Sequence, residues 1–393
     1  MSESAGLRRV VVTGLGTISA GGIGQAAFFE GLCGQSSPPP LLIHDFDPTP
    51  HFDTPKEMRR HDRFAQFALA CAGEALEQAG DLNCDPDRIG VHIGTGVGGL
   101  STIESQVLLN ERAPRRVSPF LVPMMMPNAA AAAVSMRYGF RGPCETTTTA
   151  CAASTQCIGR AAHTIRWGQS DIVLAGGSEA SNTPTGTQGF INMTATSSAG
   201  ISRPFDKDRD GFLHAEGAAV LVLEEREHAL RRGANICGEI LGYATNADAH
   251  HITAPSPGGV GAIACMELAL ADAGISPSDV VHINAHGTST PLNDANEAEA
   301  IHKVFGAPGP LVASTKGITG HSLGAAGALE AAAIILAMQH KLIPPTANYQ
   351  TPDPEMAPIR IVAPEPMKWE PGVSLSNSFG FGGHNATLVI GPP

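Results

Sequence analysis

One cysteine and two histidines stand in settings suited to covalent chemistry. Cys151 lies in the small-residue run Thr146-Thr-Thr-Thr-Ala-Cys-Ala-Ala-Ser154, while His286 and His321 lie among glycines in Asn284-Ala-His-Gly-Thr-Ser-Thr290 and Thr319-Gly-His321. A cysteine used for packing would be expected among Leu, Ile and Val. This one opens a predicted helix, Ala152 to Trp167, stopped by Gly168. Unpaired amides and the dipole at a helix start favour thiolate, so Cys151 reads as a nucleophile. One thiol with two imidazoles suits a carbon–carbon bond-forming site. A thiolate can serve as nucleophile, and neutral imidazole N–H groups can face developing negative charge. His321 also precedes a helix, where the dipole disfavours imidazolium and keeps the ring neutral. Lys316, five residues before His321 in a small-residue loop, requires a carboxylate partner. Glu330 is the candidate because it interrupts the otherwise apolar helix Leu323 to Met338.

The elements that must position these groups come in two similar sets. Ala70-Cys-Ala-Gly-Glu-Ala-Leu-Glu-Gln-Ala-Gly80 matches Ala264-Cys-Met-Glu-Leu-Ala-Leu-Ala-Asp-Ala-Gly274. Each reads as an amphipathic helix closed by glycine. A polar link with Pro and Asp follows, then a strand (Ile89 to Ile93, Val280 to Ile283), then a glycine-bearing loop. Cys151 and His321 each introduce a long helix of small residues, so a pseudo-twofold axis would bring the two helix starts together. Alternating helical and strand patterns predict an α/β protein with buried sheets. Gly324, Ala325, Gly327 and Ala328 would allow close helix packing. Ser36 to Pro40 and Asp47 to Thr54 read as surface loops.

Composition narrows the class further. A chain of 393 residues with net charge −12 and no Lys/Arg tract should repel nucleic acid and anionic membranes. Met1 to Arg9 is polar and offers no signal-peptide core, and Glu330 breaks the longest apolar stretch, so a soluble cytoplasmic protein is expected. Eight cysteines without a CxxC pair make no disulfide framework. Gly94-Thr-Gly-Val-Gly-Gly99 satisfies G-x-G-x-x-G after a strand, but Val117 to Pro127 lacks the acidic residue that a dinucleotide site needs. Asp248-Ala-His-His251 has no metalloenzyme spacing, so no metal is expected. His92, His302 and His340 read as structural.

From Val10 to Ile390 the chain resembles the elongating 3-oxoacyl-acyl-carrier-protein synthases, the ketosynthases of fatty acid and polyketide assembly. The resemblance rests on Val12-Thr-Gly-Leu-Gly16, Thr149-Ala-Cys-Ala152, Ala175-Gly-Gly-Ser-Glu179, Arg203-Pro-Phe-Asp-Lys-Asp-Arg-Asp-Gly211, Asn284 to Pro291, Ser314-Thr-Lys316, Thr319 to Gly327 and Asn377-Ser-Phe-Gly-Phe-Gly-Gly383. It implies a thiolase-like five-layered αβαβα fold with two sheets. Its two pseudo-symmetric halves would be 1–236, carrying the cysteine, and 237–393, carrying both histidines. It implies a decarboxylative Claisen condensation of a Cys151-bound acyl chain with malonyl carrier protein, and no cofactor, since phosphopantetheine arrives on the carrier. Cys151, His286 and His321 would be catalytic, with Lys316 and Glu330 organising the site around His321. Phe381 would gate the pocket, its amide forming an oxyanion hole with that of Cys151.

By the same resemblance Thr288 and Thr290 would bind the pantetheine arm, and Asp248 and His251 would lie near the malonyl side. Val97 would sit at the end of an acyl tunnel admitting medium or long chains. Lys56, Arg59, Arg60, Arg115 and Arg116 would dock the acidic acyl carrier protein, although the arginine expected near Thr194 to Gly200 is missing from a shortened loop. Ser154-Thr155 replaces the glycine usual behind the nucleophile. The small-residue stretch Asn128 to Ala133, preceded by Met124-Met-Met126 whose side chains suit varied acyl chains, would face a second subunit, either an identical copy or a homologous chain-length factor without the nucleophile. A thiolase would need a second cysteine between Phe381 and Asn385, starter-condensing synthases carry asparagine in place of His321, and a chain-length factor lacks Cys151. Fatty acid elongation and polyketide or polyene elongation both remain open.

Overall fold

The computed structural model describes residues 8–34 and 41–393. The expected loop at 36–40 lies outside the described residues. Ten strands carry the architecture: β1 (Val10–Ser19), β2 (Ile89–Gly94), β3 (Cys144–Glu145), β4 (Ile172–Glu179), β5 (Gly217–Glu225), β6 (Gly238–Ala247), β7 (Val280–Asn284), β8 (Leu311–Ala313), β9 (Val373–Gly380) and β10 (His384–Gly391). Their spatial order is β3-β2-β4-β5-β1 in the first half and β8-β7-β9-β10-β6 in the second. Each strand thus has a counterpart in the other half. Parallel and antiparallel pairings also correspond: β2 with β4 and β7 with β9 are parallel, while β4 with β5 and β9 with β10 are antiparallel.

The resemblance implies two sheets, and here they are joined. β1 and β6 pair antiparallel through Val10–Ile240, Val11–Glu239 and Val12–Gly238, so the halves share one continuous sheet. An antiparallel seam between equivalent strands is what a twofold relation produces.

Five helices complete the layers: α1 (Arg63–Ala79), α2 (Ala153–Arg166), α3 (Val260–Ala273), α4 (Pro291–Phe305) and α5 (Ala326–His340). The sequence repeat corresponds to α1 and α3, which end at Gly80 and Gly274 as expected. α1 lies directly on β1: a Cβ at Gly14 or Gly16 would meet the Ala75 or Cys71 carbonyl oxygen at 2.1 Å. Gly242 of β6 gives α3 the equivalent close approach, 2.7 Å from the Ala269 carbonyl oxygen. These contacts explain the glycines of the Val12–Gly16 motif. α2 and α5 fill the middle layer, each packed on strands of both halves.

α5 is buried from Ala326 to Met338. Leu323–His340 is, among the described residues, the one helical stretch long and apolar enough to cross a membrane, and 89% of it lies inside the protein. It is a core helix, apolar on all sides because it contacts protein on all sides. Where α2 and α5 cross, a Cβ at Gly327 would stand 1.8 Å from Thr155 Oγ1. The hydroxyls that replace glycine behind the nucleophile are used at this crossing. Ser154 Oγ accepts the Ala328 amide at 2.9 Å, and Thr155 Oγ1 lies 2.7 Å from Ser378 Oγ. One otherwise unpaired amide of a buried helix start is thereby satisfied.

The stretch 128–133, expected at the partner surface, is only partly outward: Asn128 is exposed. Ala130, Ala131 and Ala133 do not face a second subunit; they are buried within the chain, where their small side chains bring the Ala129–Tyr138 helix close to α1. His92 is buried, His302 Nδ1 contacts the Pro358 carbonyl at 3.2 Å, and His340 stacks on Phe29 at 4.3 Å, all structural roles.

The crossing sets a stability test. Gly327→Val should destabilise the protein by about 1–3 kcal/mol, because Thr155 cannot yield without losing Ser378. Gly189→Ala, on an exposed helix with nothing within 4 Å of the new Cβ, should be neutral or stabilise by up to ~1 kcal/mol. Thermal unfolding of both variants checks the contrast; equal effects would mean that the crossing tolerates side chains.

Candidate active site

Cys151 follows Ala150, which has φ 49°, an uncommon left-handed conformation for alanine, and α2 begins two residues later. Gly380 of β9 packs against this turn: its Cβ would lie 3.1 Å from the Cys151 nitrogen. From the second half, His321 is held through its main chain. Its amide donates to the Leu213 carbonyl at 2.8 Å, and its carbonyl accepts the Ala215 amide at 3.1 Å. The short turn Leu323–Ala325 then leads into α5. The two helix starts converge as the repeat implied, placing His321 Nε2 3.0 Å from Cys151 Sγ. His286 completes the group, its ring 5.4 Å from that of His321 and nearly perpendicular to it. Sulfur and one nitrogen from each ring lie within 4.8 Å of one another.

Burial pushes the Cys151 thiol up to about 12, against the pull of the Lys316 charge and a hydrogen bond from the Phe381 amide. Burial thus opposes the thiolate that a helix start favours. Both imidazoles are held neutral. Burial first, then the positive charge of Lys316, lowers His286 and His321 well below the ordinary histidine range. Two neutral rings beside a buried thiol can donate hydrogen bonds to a developing oxyanion and are poor bases.

Lys316 and Glu330 form the expected pair, both almost fully buried. Burial pushes the Glu330 carboxyl up and Lys316 pulls it down. Lys316 Nζ also donates to the His286 carbonyl oxygen at 2.6 Å. The pair therefore braces the His286 main chain, and the Lys316 charge acts on the His321 ring as well. The sequence reading missed Glu297, whose two oxygens accept the His286 and Gly287 amides at 2.8 Å each. Its signal was available: Asp294, Glu297 and Ile301 fall at helical spacing on one face of α4, and all three are buried.

A cavity of about 350 Å³ opens over these groups, lined by Cys151, His286, His321, Phe381, Thr288, Thr290 and Asp248 among others. Thr288 and Thr290 present paired hydroxyls 3.0 Å apart. Asp248 is held by the Asn385 side chain at 2.7 Å and the Ser256 amide at 3.0 Å. His251 stands outside the lining; its Nδ1 accepts the Thr253 and Ala254 amides at 3.1 Å each, which fixes the loop whose residues 253–255 line the cavity. Val97 also lies outside it and is 38% exposed.

The glycine loop offers no phosphate cradle. Its Gly96, Gly98 and Gly99 amides donate to Glu179, Thr95 and the Met125 carbonyl. The shortened segment 194–200 closes on Asp210, which accepts the Ser197 hydroxyl at 2.6 Å and the Ser198 and Ala199 amides. Lys56, Arg59, Arg60, Arg115 and Arg116 are exposed, and none has a carboxylate within ion-pair distance among the described residues. Arg60 lies over the Phe120 ring at 4.4 Å, which brings the two clusters onto one surface. Cys151, His286 and His321 form the one cluster of potential metal ligands among the described residues, a donor set that zinc could use.

Comparison with known proteins gives one consistent result. Residues 41–229 match the model of the beta-ketoacyl synthase N-terminal domain, and residues 237–350 match that of the C-terminal domain. A 3-oxoacyl-[acyl-carrier-protein] synthase 2 of Synechocystis sp. is 43% identical over 410 residues, covering 98% of each chain. Among solved structures, the ishigamide ketosynthase/chain length factor superposes with a TM-score of 0.92 at 34% identity, covering 98% of this chain and 100% of that one. A type II polyketide synthase acyl-carrier protein in complex with its ketosynthase gives 0.89 at 32% identity, with the same coverage.

The protonation state of Cys151 can be tested directly. Its alkylation by iodoacetamide should be slow at neutral pH and rise through the alkaline range, because the reactive thiolate forms only as pH approaches about 12. Peptide mapping of alkylated enzyme measures the profile; a plateau near neutrality would show a thiolate stabilised at rest.

Proposed function

The chain belongs to the beta-ketoacyl synthase family, and on that premise we propose how its site performs the condensation. It acts as a 3-oxoacyl-acyl-carrier-protein synthase in fatty acid elongation. The observation that carries this reading is the 3.0 Å contact between a buried thiol and a buried neutral imidazole, with a second neutral imidazole alongside.

In the first half-reaction the Cys151 sulfur attacks the carbonyl of an acyl carrier thioester. A carbon–sulfur bond to Cys151 forms, the bond to pantetheine breaks, and the thiol proton leaves with the pantetheine sulfur. The Cys151 and Phe381 amides are the donors proposed for the tetrahedral oxyanion. In the second half-reaction the malonyl thioester oxygen faces the His286 and His321 N–H groups. Carbon dioxide departs, enolate charge forms against those donors, and the carbanion attacks the acyl carbon on Cys151. The new carbon–carbon bond forms as the carbon–sulfur bond breaks, and the departing Cys151 thiolate takes up one proton from solvent to restore the thiol. Thr288 and Thr290 suit the amides of a pantetheine arm. Lys56, Arg59, Arg60, Arg115 and Arg116 suit an acidic carrier protein on a chain whose net charge is −12. Neither step uses a resident cofactor or metal; a zinc ion on this donor set would occupy the nucleophile. Cytoplasmic location accords with this chemistry.

Variants separate the roles. Cys151→Ala should abolish covalent acylation, and Cys157 should not replace it. His286→Ala and His321→Ala should still load the acyl group but lose malonyl decarboxylation by ~10²- to 10³-fold. Intact mass and carbon dioxide release measure the two steps; normal release in either histidine variant would overturn the assignment.

A second reading, a ketosynthase subunit of a polyketide or polyene synthase paired with a chain-length factor, is favoured by the superposition on such a pair and by exposed apolar side chains at Val97, Phe120, Val122 and Met126. Native mass and condensation assays on the chain expressed alone distinguish the two. An active homodimer is expected, and activity that appears only with a homologous partner would assign the second reading.

A further inference from the structure

The oxyanion hole proposed above draws its two donors from different halves of the chain. The Cys151 amide lies just before α2, while the Phe381 amide directly follows β9 and hydrogen-bonds to the Cys151 sulfur. Both ladders of β9 run to strands of its own half, β7 and β10, so main-chain pairing does not hold its end against α2. Two other contacts do. Gly380 sets how near the strand can come: a Cβ there would stand 2.9 Å from the Thr149 carbonyl oxygen and 3.1 Å from the Cys151 nitrogen. Thr155 and Ser378 set how far it can withdraw, through the 2.7 Å contact of their hydroxyls.

This second contact is built to resist separation. Both residues are fully buried, and among the described residues theirs is the one hydrogen bond that joins α2 to β9. α5 closes the third side, where a Cβ at Gly327 would meet Thr155 Oγ1 at 1.8 Å and Ser378 Oγ at 3.0 Å. A hydrogen bond shut away from water is stronger than an exposed one, and parting it would leave two buried hydroxyls unpaired. Spacing along the chain completes the link. Thr155 follows Cys151 by four residues and Ser378 precedes Phe381 by three, so a change in this contact is passed to both donors.

We propose that Thr155 and Ser378 are positioning residues for the condensation, a tether that keeps the Phe381 amide in register with the Cys151 amide so that both reach the tetrahedral oxyanion. The proposal rests on the condensation reading above. Oxyanion donors act on acyl transfer to Cys151, whereas malonyl decarboxylation faces the His286 and His321 N–H groups, so breaking the tether should separate the two steps. In Ser378→Ala the single-turnover rate of loading from saturating octanoyl carrier protein, followed by intact mass, should fall about tenfold, less than the ~10²- to 10³-fold of losing a donor outright. Carbon dioxide release from malonyl carrier protein by enzyme already loaded to completion should stay within about twofold of wild type. Thr155→Ala breaks the same bond from the helix side and serves if the serine variant does not fold, while Thr155→Ser keeps the hydroxyl and should keep the wild-type loading rate. The double variant Thr155→Ala/Ser378→Ala should load as slowly as either single variant, because one bond is lost in all three. Equal losses of loading and release, an unchanged loading rate in the folded variants, or recovery in the double variant would overturn the proposal, the last by assigning the effect to an orphaned hydroxyl. Wild-type enzyme that takes up no acyl group would instead refute the reading on which it rests.

Discussion

The contact between Cys151 and His321 depends on how closely α2 and α5 can cross. Cys151 belongs to one half of the chain and His321 to the other, and only the middle layer joins their helices directly. That layer is built from small residues because any larger side chain at Gly327 would occupy the Thr155 hydroxyl. The outer layers repeat the device, with Gly14, Gly16 and Gly242 allowing helix backbones to rest on strands. The catalytic spacing is therefore a packing distance, fixed by the absence of side chains as much as by their presence.

Close packing also explains the number of carboxylates beneath the site. Glu179, Glu297 and Glu330 are each fully buried, and each is matched to donors that the fold cannot satisfy otherwise: the amides of Gly96 and Gly324, the amides of His286 and Gly287, and the Lys316 ammonium. Burying such groups costs several kcal/mol per ion before compensation, and removing one partner of a buried pair typically costs 3–5 kcal/mol. Their return is position, because these donors belong to segments that bear His286, lead into or out of His321, or lead out of β2. Local main-chain geometry at the site is thus set by buried carboxyls beneath it.

The parts legible in the sequence are those with a periodic or pairwise signal. The repeat of α1 and α3 with the strands that follow was visible because amphipathic helices closed by glycine leave a pattern. Lys316 and Glu330 were visible because each is an isolated charge in an apolar setting. The joined sheet was not legible, since three residue pairs between β1 and β6 leave no mark on either strand. Glu297 escaped notice although it falls at helical spacing with Asp294 and Ile301, because a glutamate among Asn, Glu and Ala fits a solvated helix face equally well. The burial that opposes a thiolate at Cys151 was not legible, because a helix start can be read from sequence and the depth of its burial cannot. The inward turn of Ala130, Ala131 and Ala133 has the same cause, since alanine suits a subunit interface and an internal helix contact equally.

The depressed basicity of His286 and His321 bears on time as well as on charge. A thioester on Cys151 waits for a second substrate, and during that interval its natural competitor is water. Water attacks a thioester readily only when a neighbouring base takes its proton, and rings held well below the ordinary histidine range are weak proton acceptors. The burial that withholds positive charge from the two donors therefore lengthens the life of the loaded intermediate, making the enzyme patient between its two halves of turnover.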